Sequence, residues 1–318
     1  MRCAIIRCIP KRGDLTEVRN WRPIGLLNAD YKLFARCIAD RISKFLPFVI
    51  SPSQTATVKS RKIQHNLNLL RNFIFKADTE QLEAFLLSID QMKAFDRVSW
   101  PFLLEVLDRQ NFPPLIVRWV KILYTDIKSC VRVNGFTGAM FVIGRGVRQG
   151  CPLSPILYTI FSEALTRCIF NDPEIEGPDI LGGLPVVSQF ADDTTIGAIG
   201  DQSIFAIFRA LYLFERASGA KVNPDKSVGL WLGANRGREG RPMNVQWTSE
   251  FIKVLGVPLG QSNAPLDFWE KLLAKVEHQV RAWQHRDLSF KGKIMVIKQL
   301  LLPVFVYPSF ILVSPPHM

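Results

Sequence analysis

Two adjacent aspartates, Asp192 and Asp193, interrupt an apolar stretch in "FADDTTIGA", residues 190–198. A third carboxylate, Asp90, closes the apolar run "AFLLSI". If the strands that carry them are neighbours, three carboxylates converge at one edge of a sheet. Like charges so placed raise one another's pKa and would not all stay ionised unaided. A pair of Mg²⁺ ions, or Mn²⁺ in their place, answers that conflict, because such ions take a few carboxylates together with waters and substrate phosphates. Two of them can activate an attacking hydroxyl and stabilise the leaving oxygen of an in-line phosphoryl transfer. An Asp-Asp turn beside an unrelated acid has the same spacing, so the residues alone leave both readings open.

The elements that must position these acids can be read from pattern. "EAFLLSID" is a short apolar run ending in an acid, the form of a buried strand. "VVSQFADDTTIGAI" reads as strand, turn, strand. "NADYKLFARCIADRISKFL" and "SRKIQHNLNLLRNFIF" carry apolar residues at helical spacing, with Ile63, Leu67, Leu70 and Ile74 on one face of the second. Asn134-Gly135 between two strand-like runs signals a hairpin. "SPILYTIFSEALTRCIF" predicts a helix with Ser154 as N-cap and Pro155 at its first position. Asp201 is the expected N-cap of the next helix and Gly219 its stop. "GANRGREGRPMN", residues 233–244, reads as an exposed loop. "LDFWEKLLAKVEHQVRAWQHR" and "KGKIMVIKQLLL" predict two final helices. Strands and helices alternate without a regular βαβ period, which favours an α+β fold.

Composition bounds the function classes. The chain has 318 residues, 48% of them hydrophobic, enough for a sizeable core. The tract "QLLLPVFVYPSFILV" is too short to span a bilayer and carries two prolines, so it reads as buried core. No secretory pattern opens the sequence. Six cysteines form no CxxC pair and histidines number four, which reads as free thiols rather than a zinc site. Residues 1–76 carry 15 Lys and Arg against 4 Asp and Glu, while the rest of the chain carries 25 against 24. A basic N-terminal quarter suits a polyanion. No Lys or Arg falls between Arg167 and Arg209, whereas seven acids do, a stretch that suits divalent cations.

Six blocks, in order, resemble the polymerase domain of non-LTR (LINE-type) retrotransposon reverse transcriptases. They are "NWRPIGLLNADYKLFARCIADRI" (20–42), "SIDQMKAFDRVSW" (88–100), "GRGVRQGCPLSPILYTIF" (144–161), "QFADDTTI" (189–196), "ASGAKVNPDKS" (217–227) and "KVLGVPLG" (253–260). One such block is weak; six in order are specific. The resemblance implies a right-hand polymerase fold, with basic fingers over 1–80. A palm follows over 81–260, with an antiparallel sheet and an inserted finger hairpin, and the start of a helical thumb lies over 261–318. It implies an RNA-directed DNA polymerase that extends a primer 3′-hydroxyl with dNTPs on an RNA template.

The same resemblance carries residue roles. Asp90, Asp192 and Asp193 match the metal-binding aspartates, with Asp192 the direct ligand of both ions. Phe95 falls where an aromatic ring presses on the sugar of the incoming nucleotide, and Asp96 beside it is structural. Gln149 and Gly150 match the loop that contacts nucleotide and template, where glycine permits close backbone approach. Arg22 matches a finger arginine that meets the triphosphate, and Lys11 or Arg12 supplies a second cation. Lys226 is the expected general acid toward the pyrophosphate leaving group, with Lys221 as the alternative. Leu255 and Gly256 resemble the support of the primer 3′ end. One block departs from the family: Ala56-Thr57 stand where Gly-Phe is expected and Ser60-Arg61 where Gly-Arg is expected, in a segment that should touch template.

The implied partners are RNA template, DNA primer and dNTPs, without a membrane. The implied place is intracellular, in nucleus or cytoplasm, as a ribonucleoprotein. Family members usually carry an endonuclease and further nucleic-acid-binding segments, so the chain reads as a fragment of such a protein. The alternatives are an impaired or domesticated copy that only binds RNA, and an intron- or retron-type reverse transcriptase.

Overall fold

The structure, a computed structural model, describes residues 3–11, 13–179, 182–260 and 266–313. The chain opens with β1 (Cys3–Pro10) and β2 (Trp21–Leu27), then α1 (Ala29–Ser43), α2 (Leu46–Val49) and α3 (Ile63–Thr79). Next come β3 (Glu83–Ile89), α4 (Ala94–Arg97), α5 (Trp100–Arg109) and α6 (Pro114–Leu123). A strand group follows: β4 (Lys128–Val133), β5 (Phe136–Thr137) and β6 (Phe141–Val142). Then α7 (Ser154–Phe170), β7 (Val186–Phe190), β8 (Asp193–Ile199), α8 (Asp201–Ser218) and β9 (Val228–Gly233) build the middle of the molecule. The remainder is β10 (Gln246–Thr248), β11 (Phe251–Val254), β12 (Val257–Gly260), α9 (Leu266–Gln284), α10 (Phe290–Val296) and α11 (Leu302–Ser309).

The central sheet has the order β10-β9-β3-β8-β7, with β3 antiparallel to both neighbours. Its strands are covered on both faces, which is why β3 reads as a continuous apolar run rather than an alternating one. Phe85, Leu87 and Ile89 enter the larger core with α1, α5, α7 and α8, while Ala84 and Leu86 enter a second core under α3. A second sheet, β2-β1-β4-β5, takes β6 as a further partner of β4. A separate hairpin joins β11 to β12.

Several local expectations hold. Asn134 and Gly135 take positive φ, 47° and 88°, and close β4 onto β5 through Val133↔Phe136. Gly219 ends α8 at φ 76°. Two helix starts differ. The cap of α7 is Leu153, so Ser154 is already helical; its hydroxyl is buried and makes no capping bond. The cap of α8 is Gly200, and Asp201 is its first residue, its carboxylate held by Arg238 at 2.8 Å.

The apolar tract near the end is a larger correction. It forms α11 after a π-helical turn at Ile297–Leu301, and it enters the core along one edge only, through Ile311 with Tyr307 and Leu312 packed beside it. Ile311 is 4% exposed, but Val306 is 49%, Phe310 57% and Val313 85% exposed. Hydrophobic side chains bury only where another element covers them, and among the described residues nothing covers this face. No described helix is long and apolar enough to cross a membrane. All six cysteines stand free.

Candidate active site

The central sheet brings the three aspartates to one edge. Ile89 pairs with Thr194, so Asp90 leaves β3 beside Asp193, the first residue of β8. Phe190 pairs with Asp193 across β7 and β8, which leaves Ala191 and Asp192 as a two-residue turn. Ala191 has φ 56°. The first central position of such a hairpin turn usually holds glycine, because a Cβ there is strained.

Asp90 is fixed by the turn after α8. Its N–H donates to Ser227 Oγ at 3.2 Å, its carbonyl accepts from the Asn223 N–H at 2.8 Å, and its Oδ2 accepts from Asn223 Nδ2 at 3.2 Å. Burial raises the pKa of Asp192, Asp90 raises it further, and the Arg22 guanidinium works the other way. Asp193 is raised by burial, by Asp192 and by Asp90. Its tip reaches solvent, yet two neighbouring carboxylates still oppose its ionisation. Among the described residues no Lys or Arg forms an ion pair with any of the three. The donor set therefore fits a divalent cation: adjacent carboxylates, mutually repelling, with Arg22 reaching only Asp192 and without an ion pair. As they stand, the described residues contain no group of three His, Cys, Asp or Glu close enough to cage an ion.

The other acids between Arg167 and Arg209 have different fates. Arg209 pairs with Asp172 and Glu174, both at 2.8 Å, and Arg238 with Asp201. Three acids of that stretch are thus paired with arginines, while Asp192 and Asp193 lie beside Asp90.

The segment after Asp90 meets the loop at 144–150. Gly146 N–H donates to the Val98 carbonyl at 2.8 Å and Val147 N–H to the Phe95 carbonyl at 2.7 Å. Gln149 Nε2 donates to Asp96 Oδ1 at 3.1 Å, which ties this loop to the segment after Asp90. Phe95 stacks on Tyr158, ring centroids 4.6 Å apart and planes 13° from parallel. Tyr158 is buried and donates to Gln91 Oε1 at 2.9 Å. Its phenol is held far above its ordinary pKa, first by burial and then by Asp192 and Asp193.

Gly150 makes the close approach that its type allows, and the partner is backbone. It has φ 102°, and a Cβ there would stand 2.6 Å from the Gly25 carbonyl oxygen. Gly25 N–H donates to the Gln149 carbonyl at 2.9 Å. Two glycines therefore dock β2 onto this loop, and β2 also carries Arg22, whose charge reaches Asp192.

The remaining expected residues are more scattered. Lys226 is exposed in the turn at 223–227, three residues beyond the Asn223 that binds Asp90. Lys221 is also exposed, and its carbonyl accepts from the Met92 N–H at 2.8 Å. Lys11 is exposed at the end of β1, and no described contact ties it to the carboxylates. Arg12 lies outside the described residues. Leu255 and Gly256 form the β11–β12 turn with φ 49° and 84°; Tyr307 Oη donates to the Leu255 carbonyl at 2.7 Å. No described contact joins that turn to Asp90, Asp192 or Asp193.

Sequence reasoning missed the packing of residues 50–66. Ser60 has φ 70°, the left-handed conformation that explains why glycine is the family's residue there. Arg61 faces inward: it donates to the carbonyls of Ile50 and Gln54, each at 2.8 Å, and also to those of Ser51 and Pro47. Gln54 is fully buried against the aspartate turn. The departures at Ala56, Thr57 and Ser60 were the local signal, with Arg61 as the family has it.

Comparison with known proteins follows the same lines. The profile of the family described as reverse transcriptase (RNA-dependent DNA polymerase) matches residues 9–259. A Xenopus laevis protein named "Transposon TX1 uncharacterized 149 kDa protein" is 34% identical over 99% of this chain and 24% of its own length. The Pol polyprotein of the R2 retrotransposable element of Popillia japonica is 29% identical over 79% of this chain and 34% of its own length. The chain thus spans between a quarter and about a third of these two relatives. Among solved structures, a Candida tropicalis telomerase in complex with a fragment of telomeric RNA superposes with TM-score 0.58 at 14% identity. It covers 96% of this chain and 53% of that one. Apo telomerase of the same organism, truncated from its C-terminal domain, gives 0.56 at 15%, covering 81% and 53%. That likeness shows the right-hand polymerase fold. The chain belongs to the reverse transcriptase (RNA-dependent DNA polymerase) family, in its non-LTR retrotransposon branch.

Proposed function

We propose that this chain is the polymerase domain of a retrotransposon reverse transcriptase, adding dNTPs to a primer 3′-hydroxyl on an RNA template. One observation carries the reading: Asp90 at the end of β3 lies beside the β7–β8 turn that bears Asp192 and Asp193, on directly paired strands. Residues 1–80 act as fingers, 81–260 as palm and 261–318 as the start of the thumb.

Asp90, Asp192 and Asp193 hold the divalent ions, and Asn223 and Ser227 keep Asp90 in register. When bound, two Mg²⁺ ions supply charge neutralisation for the in-line displacement. Arg22 meets the triphosphate, with Lys11 as a further cation. Phe95, backed by Tyr158, limits the space at the sugar, and Gln149 and Gly150 line the nucleotide side of the same pocket. Lys226 donates the proton that the pyrophosphate leaving group takes. Leu255 and Gly256 support the primer end.

The test is Mg²⁺-dependent dNTP incorporation on a primed RNA template by the native chain and by Asp192→Ala. Incorporation by the native chain alone, at least 100-fold above the variant, supports the reading. RNA binding without incorporation by either would replace it with a binding-only role for the basic N-terminal quarter.

A further inference from the structure

Beneath the turn that carries Asp192 lies a buried amide to which no role has been attached. Gln54 is 0% exposed. Its Oε1 accepts from the Ala191 N–H at 3.1 Å and from the Ala56 N–H at 3.0 Å. Its Nε2 donates to the Ala191 carbonyl at 3.2 Å and towards Ser162 Oγ at 3.4 Å. One side chain therefore satisfies both backbone groups of the residue immediately before Asp192. That residue is Ala191, an L-residue held at φ 56°. An alanine leaves this conformation unless its surroundings over-determine it.

Gln54 is itself immobilised from every side. Its main chain runs along β7: Gln189 N–H donates to the Ser53 carbonyl at 2.8 Å, and Thr55 N–H to the Gln189 carbonyl at 3.0 Å. Arg61 ties down the carbonyls of residues 50, 51 and 54. Asn66 Nδ2 donates to Ser188 Oγ and to the Gln189 carbonyl, both at 2.9 Å. On the far side, Thr166 Oγ1 donates to Gln189 Oε1 at 2.8 Å. A strained turn and a rigid donor-acceptor pair aimed at it are the two halves of a clamp.

We propose that Gln54 is a positioning residue that sets the orientation of Asp192 by locking Ala191 in its left-handed conformation. It rests on the reading of Asp192 as a metal ligand, and it touches neither nucleotide nor ion. One bond to each of the two peptides that flank the Ala191 Cα holds its φ and ψ, and with them the direction in which the next Cα–Cβ bond points. Loss of the clamp frees Ala191 to relax toward negative φ and turns the carboxylate away from Asp90. Phe95, Gln149 and Arg22 sit on other elements, so nucleotide affinity should be spared.

The experiment compares Gln54→Met, Ala191→Gly and the double variant with the native chain. Met keeps the volume and removes all four side-chain bonds, the two to Ala191 among them; glycine at 191 takes φ 56° without strain. Gln54→Met is expected to lower kcat at least tenfold with the dNTP KM within twofold. Mn²⁺ binding, read by electron paramagnetic resonance without turnover, should weaken at least tenfold. Exchange of the Ala191 amide should accelerate while the amides of β3 and β9 keep native protection. Adding Ala191→Gly should recover at least threefold in kcat and in Mn²⁺ affinity. Should Gln54→Met fail to fold, Gln54→Glu carries the same test, since it keeps the size and the accepted bonds but loses the donor to the Ala191 carbonyl. Native kcat and Mn²⁺ affinity in a folded variant would overturn the clamp and leave the polymerase reading standing. So would a uniform loss of stability that Ala191→Gly does not relieve. A native chain that makes no DNA, with the tip amide still released by Gln54→Met, would overturn the polymerase reading and keep the clamp.

Discussion

Gly150→Ala tests how the nucleotide side of the site is built. The native φ is 102°, where a residue with a Cβ costs roughly 1–3 kcal/mol. The new Cβ would sit 2.6 Å from the Gly25 carbonyl oxygen, whereas ordinary contact begins near 3.4 Å. Either β2 or the loop must then retreat by roughly 0.8 Å, and a misplacement near 1 Å costs up to about 100-fold in a positioned reaction. The Gly25 N–H bond to Gln149 is weakened with it, worth about 1 kcal/mol. Because β2 carries Arg22 and the loop carries Gln149, the displacement falls on the groups assigned to the incoming nucleotide. The expected result is a fall of about 10- to 100-fold in kcat/KM for dNTP, or about 1.4–2.7 kcal/mol. Primer extension on an RNA template at varied dNTP gives the number. Gly144→Ala, at a position with no atom within 4 Å and no positive φ, is the matched control and should be silent. A Gly150→Ala enzyme within twofold of native, or an equal loss at Gly144, would refute the docking of β2 through paired glycines.

Other outcomes follow from the same geometry. Phe95→Val removes the ring stacked on Tyr158 and should raise ribonucleotide use at least tenfold relative to dNTP; unchanged selectivity in competition assays removes the assignment. Ser60→Gly relieves a left-handed serine at φ 70° and should stabilise the fold by about 0.5–1 kcal/mol, read from the denaturant midpoint. Asp192 and Asp193 have native pKa values above 3.8, so without divalent ions stability falls as pH rises from 3.8 through those raised values. The penalty is complete above them. Saturating Mg²⁺ should abolish that fall and raise Tm at neutral pH, and Asp193→Asn should flatten the ion-free profile. Denaturation across pH, with and without Mg²⁺, checks the sign.

Much of the local structure was legible because its causes are local. Asn134-Gly135 closes a hairpin and Gly219 stops α8, since each needs a backbone conformation that its own type favours. Ser154 and Asp201 were misplaced as caps, because a helix entry depends on the chain arriving before it. The tract at 299–313 was read as core from hydrophobicity alone, yet burial needs a covering partner and composition does not name one.

By itself the sequence determined that apolar runs would end in Asp90 and in the Asp192-Asp193 pair, and six ordered blocks marked the polymerase family. What pairs with what was decided only by tertiary structure. Arg209 and Arg238 each reach acids at least 35 residues away and take them out of the acidic stretch. Gln54 reaches Ala191 across 137 residues of chain. Hydrogen bonds and charges act over a few ångströms of space, whatever the separation along the chain. Their partners therefore exist only once the sheet has brought β3, β7 and β8 together.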